Sequence, residues 1–324
     1  LNPSIKHSFE YKEQFLEDKK GIFHPDRIKK YSSKIKDICE CVLKSQGVIL
    51  VYSRWKDSGI IPVALALEEL GIKNINPKKS LFKNSKSKKT KYKYIMITGD
   101  IPEKQFQEDL KAATSNENKN GDKVKVILIT QAGSEGIDFK FIRQVHVMEP
   151  WWNMSRIEQI IGRAVRKCSH KDLDFQNRNV EIYLHCSSQS NENIESIDVY
   201  LYRQSEAKAI NIGKITRALK ETAVDCILNV RQGDFIVDKM NQSVNIRLSS
   251  KPNENILYNV GDKPYSSICD YMEKCEYTCN PTKNINENDI SKDTYNEFFI
   301  KNDIDSLVNK IKLLFPSFIN LFIF

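Results

Sequence analysis

The chain has 324 residues, room for about two domains with buried cores, and its 40% apolar and 28% charged shares are those of an ordinary water-soluble globular protein. No apolar run is long enough to span a bilayer and no signal peptide opens the chain, which excludes a helical membrane protein; eight mostly scattered cysteines point to free thiols in a reducing, intracellular compartment. The formal net charge of +8 favours a polyanionic partner, nucleic acid first, although a solvated basic surface would give the same number.

Residues 1–20 are polar and unpatterned. Pro25 stands where a helix can begin, and Ile28, Tyr31, Ile35, Ile38 and Val42 recur at helical spacing until Gly47. VILVYS (Val48 to Ser53) reads as a buried strand. IPVALALEEL (Ile61 to Leu70) reads as a helix closed by Gly71. Lys78 to Lys93 holds eight lysines and no acid, so it predicts an exposed insertion. Three strands follow, at Tyr94 to Asp100, Val124 to Thr130 and Gln144 to Pro150. A helix with Ile157, Ile160, Ile161 and Ala164 on its apolar side comes next, then a strand at Val180 to Cys186. Strands alternating with helices predict an α/β fold with a parallel sheet covered on both faces.

After Cys186 the character changes. Ser187 to Ser196 reads as a polar linker, and a long helical pattern runs from Tyr200 to Asn229. Beyond it the chain is polar and irregular, with an amphipathic helix expected at Asp303 to Phe315. The start at Leu1 and the apolar end, Leu313 to Phe324, suggest a piece of a longer protein.

The stretch EQIIGRAVR, Glu158 to Arg166, carries the chemistry. As a helix from Ser155 to Arg166 it would place Gln159, Arg163 and Arg166 on one face, with Ile157, Ile161 and Ala164 on another. Gly162 would allow close approach. A guanidinium offers forked donors that never lose their charge, which suits a transferring phosphoryl group. An ordinary basic helix surface explains the same residues. Upstream, ITQAGSEGIDF (Ile129 to Phe139) reads as a strand running into a turn with Gly133, Gly136 and Asp138. Such turns mark the ligand crevice of parallel sheets, and their N–H groups can hold phosphate.

In this order the pieces resemble the second RecA-like domain of superfamily 2 helicases. The matching segments are VILVYSR, MITGD, VILITQAGSEGID, VMEPWWNMSRIEQ and QIIGRAVR. The wording of GVILVYSR, ETAVDCILN and CDYMEKCEYTC is similar to helicases of nucleocytoplasmic large DNA viruses related to the poxvirus early transcription factor small subunit. The resemblance implies a RecA-like domain over 21–190, a preceding linker over 1–20 and a helical or mixed C-terminal domain over 191–324.

It also implies roles. Arg166 would be the arginine finger, with Arg163 beside it at the γ-phosphate. Gln159 would orient these groups or the attacking water. Gly136 and Asp138 would meet ATP, Asp138 at the ribose. Ser53, Arg54, Thr98, Gly99, Thr130 and Gln131 would line a nucleic-acid track, DNA ahead of RNA. Arg54 departs from the glutamine that relatives often carry there. It would add a phosphate contact or point outward. One of Trp151 and Trp152 could stack on a base, but loop packing explains both more simply.

No GxxxxGK[ST] loop and no Asp-Glu pair occur in the sequence. The phosphate cradle and the Mg²⁺ carboxylate are therefore expected in a first RecA-like domain, in cis or in trans, so that this chain would be half of an ATP-dependent motor. A non-catalytic nucleic-acid-binding or assembly subunit, as in a viral transcription complex, is the alternative. A viral protein would work in the virion or a host cytoplasmic factory. Cys226, Cys269, Cys275 and Cys279 could bind Zn²⁺ as four thiolates, but no C-x2-C pair is present, and buried free thiols account for them more simply. No residue is assigned to a metal. His146 and His185 are expected to be packing residues.

Overall fold

The computed structural model describes residues 9–18, 20–83, 90–131, 136–188, 194–230, 242–280, 301 and 304–310. The middle of the lysine-rich insertion, residues 132–135 with Gly133, and the apolar end lie outside them.

The first expected helix is two. A single turn, α1 (Ile28–Tyr31), stops at extended Ser32, whose hydroxyl accepts from the Ile35 N–H and starts α2 (Ser33–Lys44). Then come β1 (Val48–Tyr52), a wide turn over Lys56–Ile60, α3 (Ile61–Glu69), β2 (Lys73–Asn74) and β3 (Lys93–Ile97). These are followed by α4 (Glu103–Thr114), β4 (Val124–Ile129), β5 (Ile142–Val147), α5 (Met154–Ala164) and β6 (Glu181–Leu184). The second part holds α6 (Ile197–Thr222), α7 (Cys226–Asn229) and a hairpin of β7 (Ser243–Ile246) and β8 (Ile256–Asn259). Residues 304–310, within the expected last helix, are helical.

The main sheet has the order β2-β3-β4-β1-β5-β6, and every pairing is parallel. Its central strands are β-branched and buried throughout, as a sheet covered on both sides requires. Alternation then sorts the core into two layers. Val48, Leu50 and Tyr52 pack on one face with Ala113 of α4 and Ile157, Ile160 and Ala164 of α5. Ile49 and Val51 pack on the other with Ile35, Ile38 and Val42 of α2 and Val63, Ala64 and Leu67 of α3. This is the expected RecA-like α/β sheet.

The residues beyond α6 are held to it by polar contacts. Ser205, Ala209, Gly213 and Arg217 form the buried line of the helix. A Cβ on Gly213 would stand 2.0 Å from the Asp270 carbonyl oxygen, so only glycine allows this approach. The buried Arg217 guanidinium pairs with Asp270 at 2.9 Å and donates to the carbonyls of Cys269, Lys274 and Glu276. Tyr271 reaches Glu158 on α5 through its hydroxyl. Cys226 pairs with Cys279 and Cys269 with Cys275 as disulfides, which corrects the expectation of free thiols for these four. Sulfurs joined in twos cannot supply four thiolates. Among the described residues no cluster of three or more His, Cys, Asp or Glu is arranged for a metal.

Removing Arg217 leaves Asp270 buried with Lys220 alone. The Arg217→Met variant should lose about 3 kcal/mol in urea unfolding and become protease-sensitive over residues 262–280. A loss below about 0.5 kcal/mol, the range of ordinary surface changes, would show that the contact does not hold this segment.

His146 lies buried in β5, with Nδ1 3.0 Å from His185 Nε2 and its ring stacked on Tyr183. Burial, then the adjacent His185, pulls its pKa down to about 3. An unfolded histidine titrates near 6.5, so between these values the unfolded chain binds a proton that the folded chain refuses. The stabilisation is full above about pH 6.5 and is lost on acidification towards 3, at about 1.4 kcal/mol per pH unit. Urea unfolding should therefore show about 1.4 kcal/mol less stability at pH 5.5 than at pH 7.5 from this group, with the full slope reached below about pH 5.5, and the His146→Asn variant should lack His146's share of it.

Candidate functional site

The carboxyl ends of the strands lie level because the backbone ladder continues past them. Ser53 N–H donates to Ile129 O, Thr130 N–H to Ile97 O, Met148 N–H to Tyr52 O and His185 N–H to Val147 O. The residues where each strand turns polar therefore stand in a row along one edge, where ligands bind in open α/β sheets.

The expected ATP-side residues converge at the end of α5 and the stretch after β4. Ile137 and Phe139 are buried, and Asp138 between them points out. Arg163 donates to Ile137 O at 3.4 Å and joins helix to loop. Arg166 forms an ion pair with Asp138 while its Nε reaches Gly162 O. Arg166 is not on the helical face that its spacing suggested. The helix stops at Ala164, Val165 leaves helical geometry, and Arg166 projects from the following turn. Gln159 is exposed on α5 and accepts from Arg156. Gly136 has φ +72°, a conformation that side chains resist, and no atom of the described residues lies within 4 Å of where a Cβ would stand. Arg163, Arg166 and Asp138 are thus brought together, with Arg166 and Asp138 exposed.

The expected nucleic-acid residues share the edge but differ in access. Ser53, Thr98 and Thr130 are buried. The Ser53 hydroxyl donates to Glu149 at 2.7 Å, and Thr98 donates to Asp100, which also pairs with Lys56. Gly99 and Arg54 are exposed, and Gln131 is half-buried. The Arg54 guanidinium lies over the rings of both Trp55 and Trp151, at 4.7 and 4.4 Å. Trp151 packs against the core, whereas Trp152 is half-exposed.

Residues 33–168 match the model of the helicase conserved C-terminal domain. By this match, residues 33–168 carry a helicase C-terminal domain. The chain is 34% identical over 203 residues to a protein of Acanthamoeba polyphaga mimivirus named as an ATP-dependent RNA helicase, covering 62% of this chain and 34% of that one. It is 30% identical over 307 residues to a protein of invertebrate iridescent virus 3 named as a helicase, covering 89% of this chain and 31% of the other. A termination factor NPH-I homologue of African swine fever virus is 25% identical over 246 residues, 65% of this chain and 35% of its own. The chain spans about a third of the length of these curated relatives. Among solved structures, the C-terminal part of the Fun30 ATPase domain is similar at 15% identity and a TM-score of 0.38, covering 56% of this chain and 47% of that one. No helix among the described residues is long and apolar enough to cross a membrane.

The helicase domain adds residues that the motifs did not single out. Glu149, in the turn after β5, is half-buried; besides Ser53 it accepts from the Arg54 N–H at 3.2 Å. Burial pushes its carboxyl up, and the two donors oppose that. Gly59 is required beside it, since a Cβ there would stand 1.9 Å from the Ser53 hydroxyl. Glu149, Trp55, Trp151, Tyr52 and Arg156 line a cavity of about 290 Å³ at this edge. The Tyr52 hydroxyl is buried there beside the Arg156 guanidinium, which opposes the rise that burial causes in its pKa. The sequence signal was an acid at the exit of an apolar strand, just before Pro150. Glu149→Ala removes the acceptor of the buried Ser53 hydroxyl and of the Arg54 N–H, and should lower stability by about 1–3 kcal/mol. Urea unfolding checks this; no change would mean that the carboxylate does not shape the edge.

Proposed function

We propose that the chain is the second RecA-like half of an ATP-dependent helicase or translocase on nucleic acid, with Arg166 as its arginine finger. One observation carries the proposal: Arg166 projects beyond α5 and pairs with an exposed carboxylate, Asp138, while Arg163 ties α5 to the same loop. Surface ion pairs contribute about 0–1 kcal/mol, so a polyphosphate can take the place of Asp138 at little cost. The guanidinium then meets charge on the transferring group with donors that stay protonated. Gln159 orients the attacking water or the arginines, and Gly136 lets the loop come close to the nucleotide. When bound, ATP supplies the phosphoryl group and Mg²⁺ neutralises its oxygens; a first RecA-like domain, in cis or in trans, would hold both.

The nucleic acid would run along the strand ends, over Arg54, Gly99 and Gln131, with Ser53, Thr98 and Thr130 forming the floor. One relative is named for RNA, so RNA stands level with DNA in this reading. Residues 21–190 would form the motor domain, residues 191–324 a C-terminal accessory domain and residues 1–20 a linker. Relatives in large DNA viruses support a viral setting, such as a virion or cytoplasmic factory.

In the complete protein, Arg166→Ala should lower nucleic-acid-stimulated ATP turnover by about 10³-fold or more. Unfolding midpoints and nucleotide-free binding of nucleic acid should stay within error. Stimulated turnover at the unmodified rate would remove the finger role from Arg166. Absence of turnover in the unmodified protein would favour a binding or assembly subunit.

A further inference from the structure

A second cavity lies at the opposite edge of the sheet, where the strands begin. It encloses about 340 Å³ and is lined by residues that lead into β1, β3, β4 and β5. Its strands are five or six residues long, so roughly 17 Å separate it from the edge that carries Arg54 and Glu149. The volume falls at the small end of the range for ligand pockets.

The lining is strongly basic. Lys125 and Arg143 are buried, at 2% and 4% exposure. Lys91 and Lys119 stand at the rim. Against these four cations the lining offers one carboxylate, Asp122, which Lys91 already holds at 2.9 Å; Glu181 acts on Arg143 from outside the lining, and Lys91 and Lys125 both lie over the Tyr92 ring, at 5.2 and 5.4 Å. The Lys125 ammonium donates to Ser45 O at 2.6 Å. The Ser45 hydroxyl is buried in the same wall and has no partner among the described residues. The arrangement is built into the fold. Gly47 holds φ +87°, and a Cβ on it would stand 2.3 Å from Arg143 Cγ. The Arg143 guanidinium is fixed from behind by the carbonyls of Asn179 and Arg247.

A structural role explains part of this. Ser45 caps the C-terminus of α2, and a cation there answers the helix dipole. That uses one ammonium proton of Lys125. It leaves the buried Ser45 hydroxyl without a partner among the described residues, and it does not account for the gathering of Lys91, Lys119 and Arg143 about the same void. Buried cations persist only when paired or satisfied.

We propose that this cavity is an oxyanion site of the phosphate class, with Lys125, Arg143 and the Ser45 hydroxyl as its inner donors and Lys91 and Lys119 as its rim. Desolvation pulls Lys125 down to about 8, with Lys91 and Arg143 adding to the effect and Asp122 opposing it. A bound anion would reverse that. The phosphate could be free or at the end of a polynucleotide, and the two sources share this chemistry. The site is independent of the motor reading.

The test is calorimetric titration of the full chain with inorganic phosphate, inorganic pyrophosphate and a 5′-phosphorylated trinucleotide beside its dephosphorylated form. Saturable binding of at least one phosphate probe is expected. The Lys125→Met variant should weaken it tenfold or more. Lys91→Ser with Lys119→Ser should weaken it several-fold without touching the core, and this rim variant carries the test if Lys125→Met does not fold. Preference for the 5′-phosphorylated trinucleotide over the dephosphorylated form would assign a strand end; binding of only the inorganic anions would assign a free phosphate. Wild-type affinity in both variants, or no saturable binding of any probe at millimolar concentration, would overturn the proposal.

Discussion

Ser53, Thr130, Met148 and His185 each donate a backbone N–H to the last residue of a neighbouring strand, so the ladder outlasts the apolar stretch by one residue. The candidate site rests on that constraint. Side-chain contacts alone would leave Ser53, Thr130 and Glu149 free to shift relative to one another. Backbone pairing fixes their heights, and burial on both faces of the central strands fixes the pairing. A slip of one residue would exchange the Val48, Leu50 and Tyr52 layer with the Ile49 and Val51 layer, against two different sets of helices.

Parallel pairing also sorts the sheet's two ends by chemistry. All carboxyl ends gather on one edge and all amino ends on the other. The carboxyl edge carries an arginine stacked on tryptophans, hydroxyls in the floor and a buried carboxylate that holds Ser53 and Arg54 in place. The amino edge carries two buried cations that the fold encloses with help from Arg247 and Ser249, beyond α7. The C-terminal part of the chain is thus more than an appendage to the sheet. Its carbonyls complete the environment of Arg143 in β5.

The sheet was legible because VILVY and VKVILI are β-branched runs with few other uses, and because Ile157, Ile160 and Ala164 mark one face of α5. The structure added α4, whose sequence is mostly polar and turns Phe106, Leu110, Ala112 and Ala113 towards the core. It also added β7 and β8, four-residue strands with no fully buried side chains, where alternation is too short to read. Spacing along α5 placed Arg166 on the helix, whereas the helix ends before it. A face rule assumes that the helix continues, and Val165 ends it. The pairing of Cys226 with Cys279 depends on how α6 docks the segment around Asp270, which no local pattern encodes. Ser45 and Lys125 lie 80 residues apart and meet only through the register of β1 and β4.

The loop that follows β4 joins these levels. It leaves the sheet at Thr130, whose N–H is held by β3, and reaches Ile137, whose carbonyl is held by Arg163. Ile137 and Phe139 are anchored in the core, so Asp138 between them is forced outward to meet Arg166. A nucleic acid resting on Thr130 and a nucleotide resting on Asp138 would thus each meet a residue held in place by its neighbours. Packed cores shift between discrete arrangements more readily than they bend. In the proposed motor a displacement of Asp138 would either break its two apolar anchors or carry α5 and Arg163 with it.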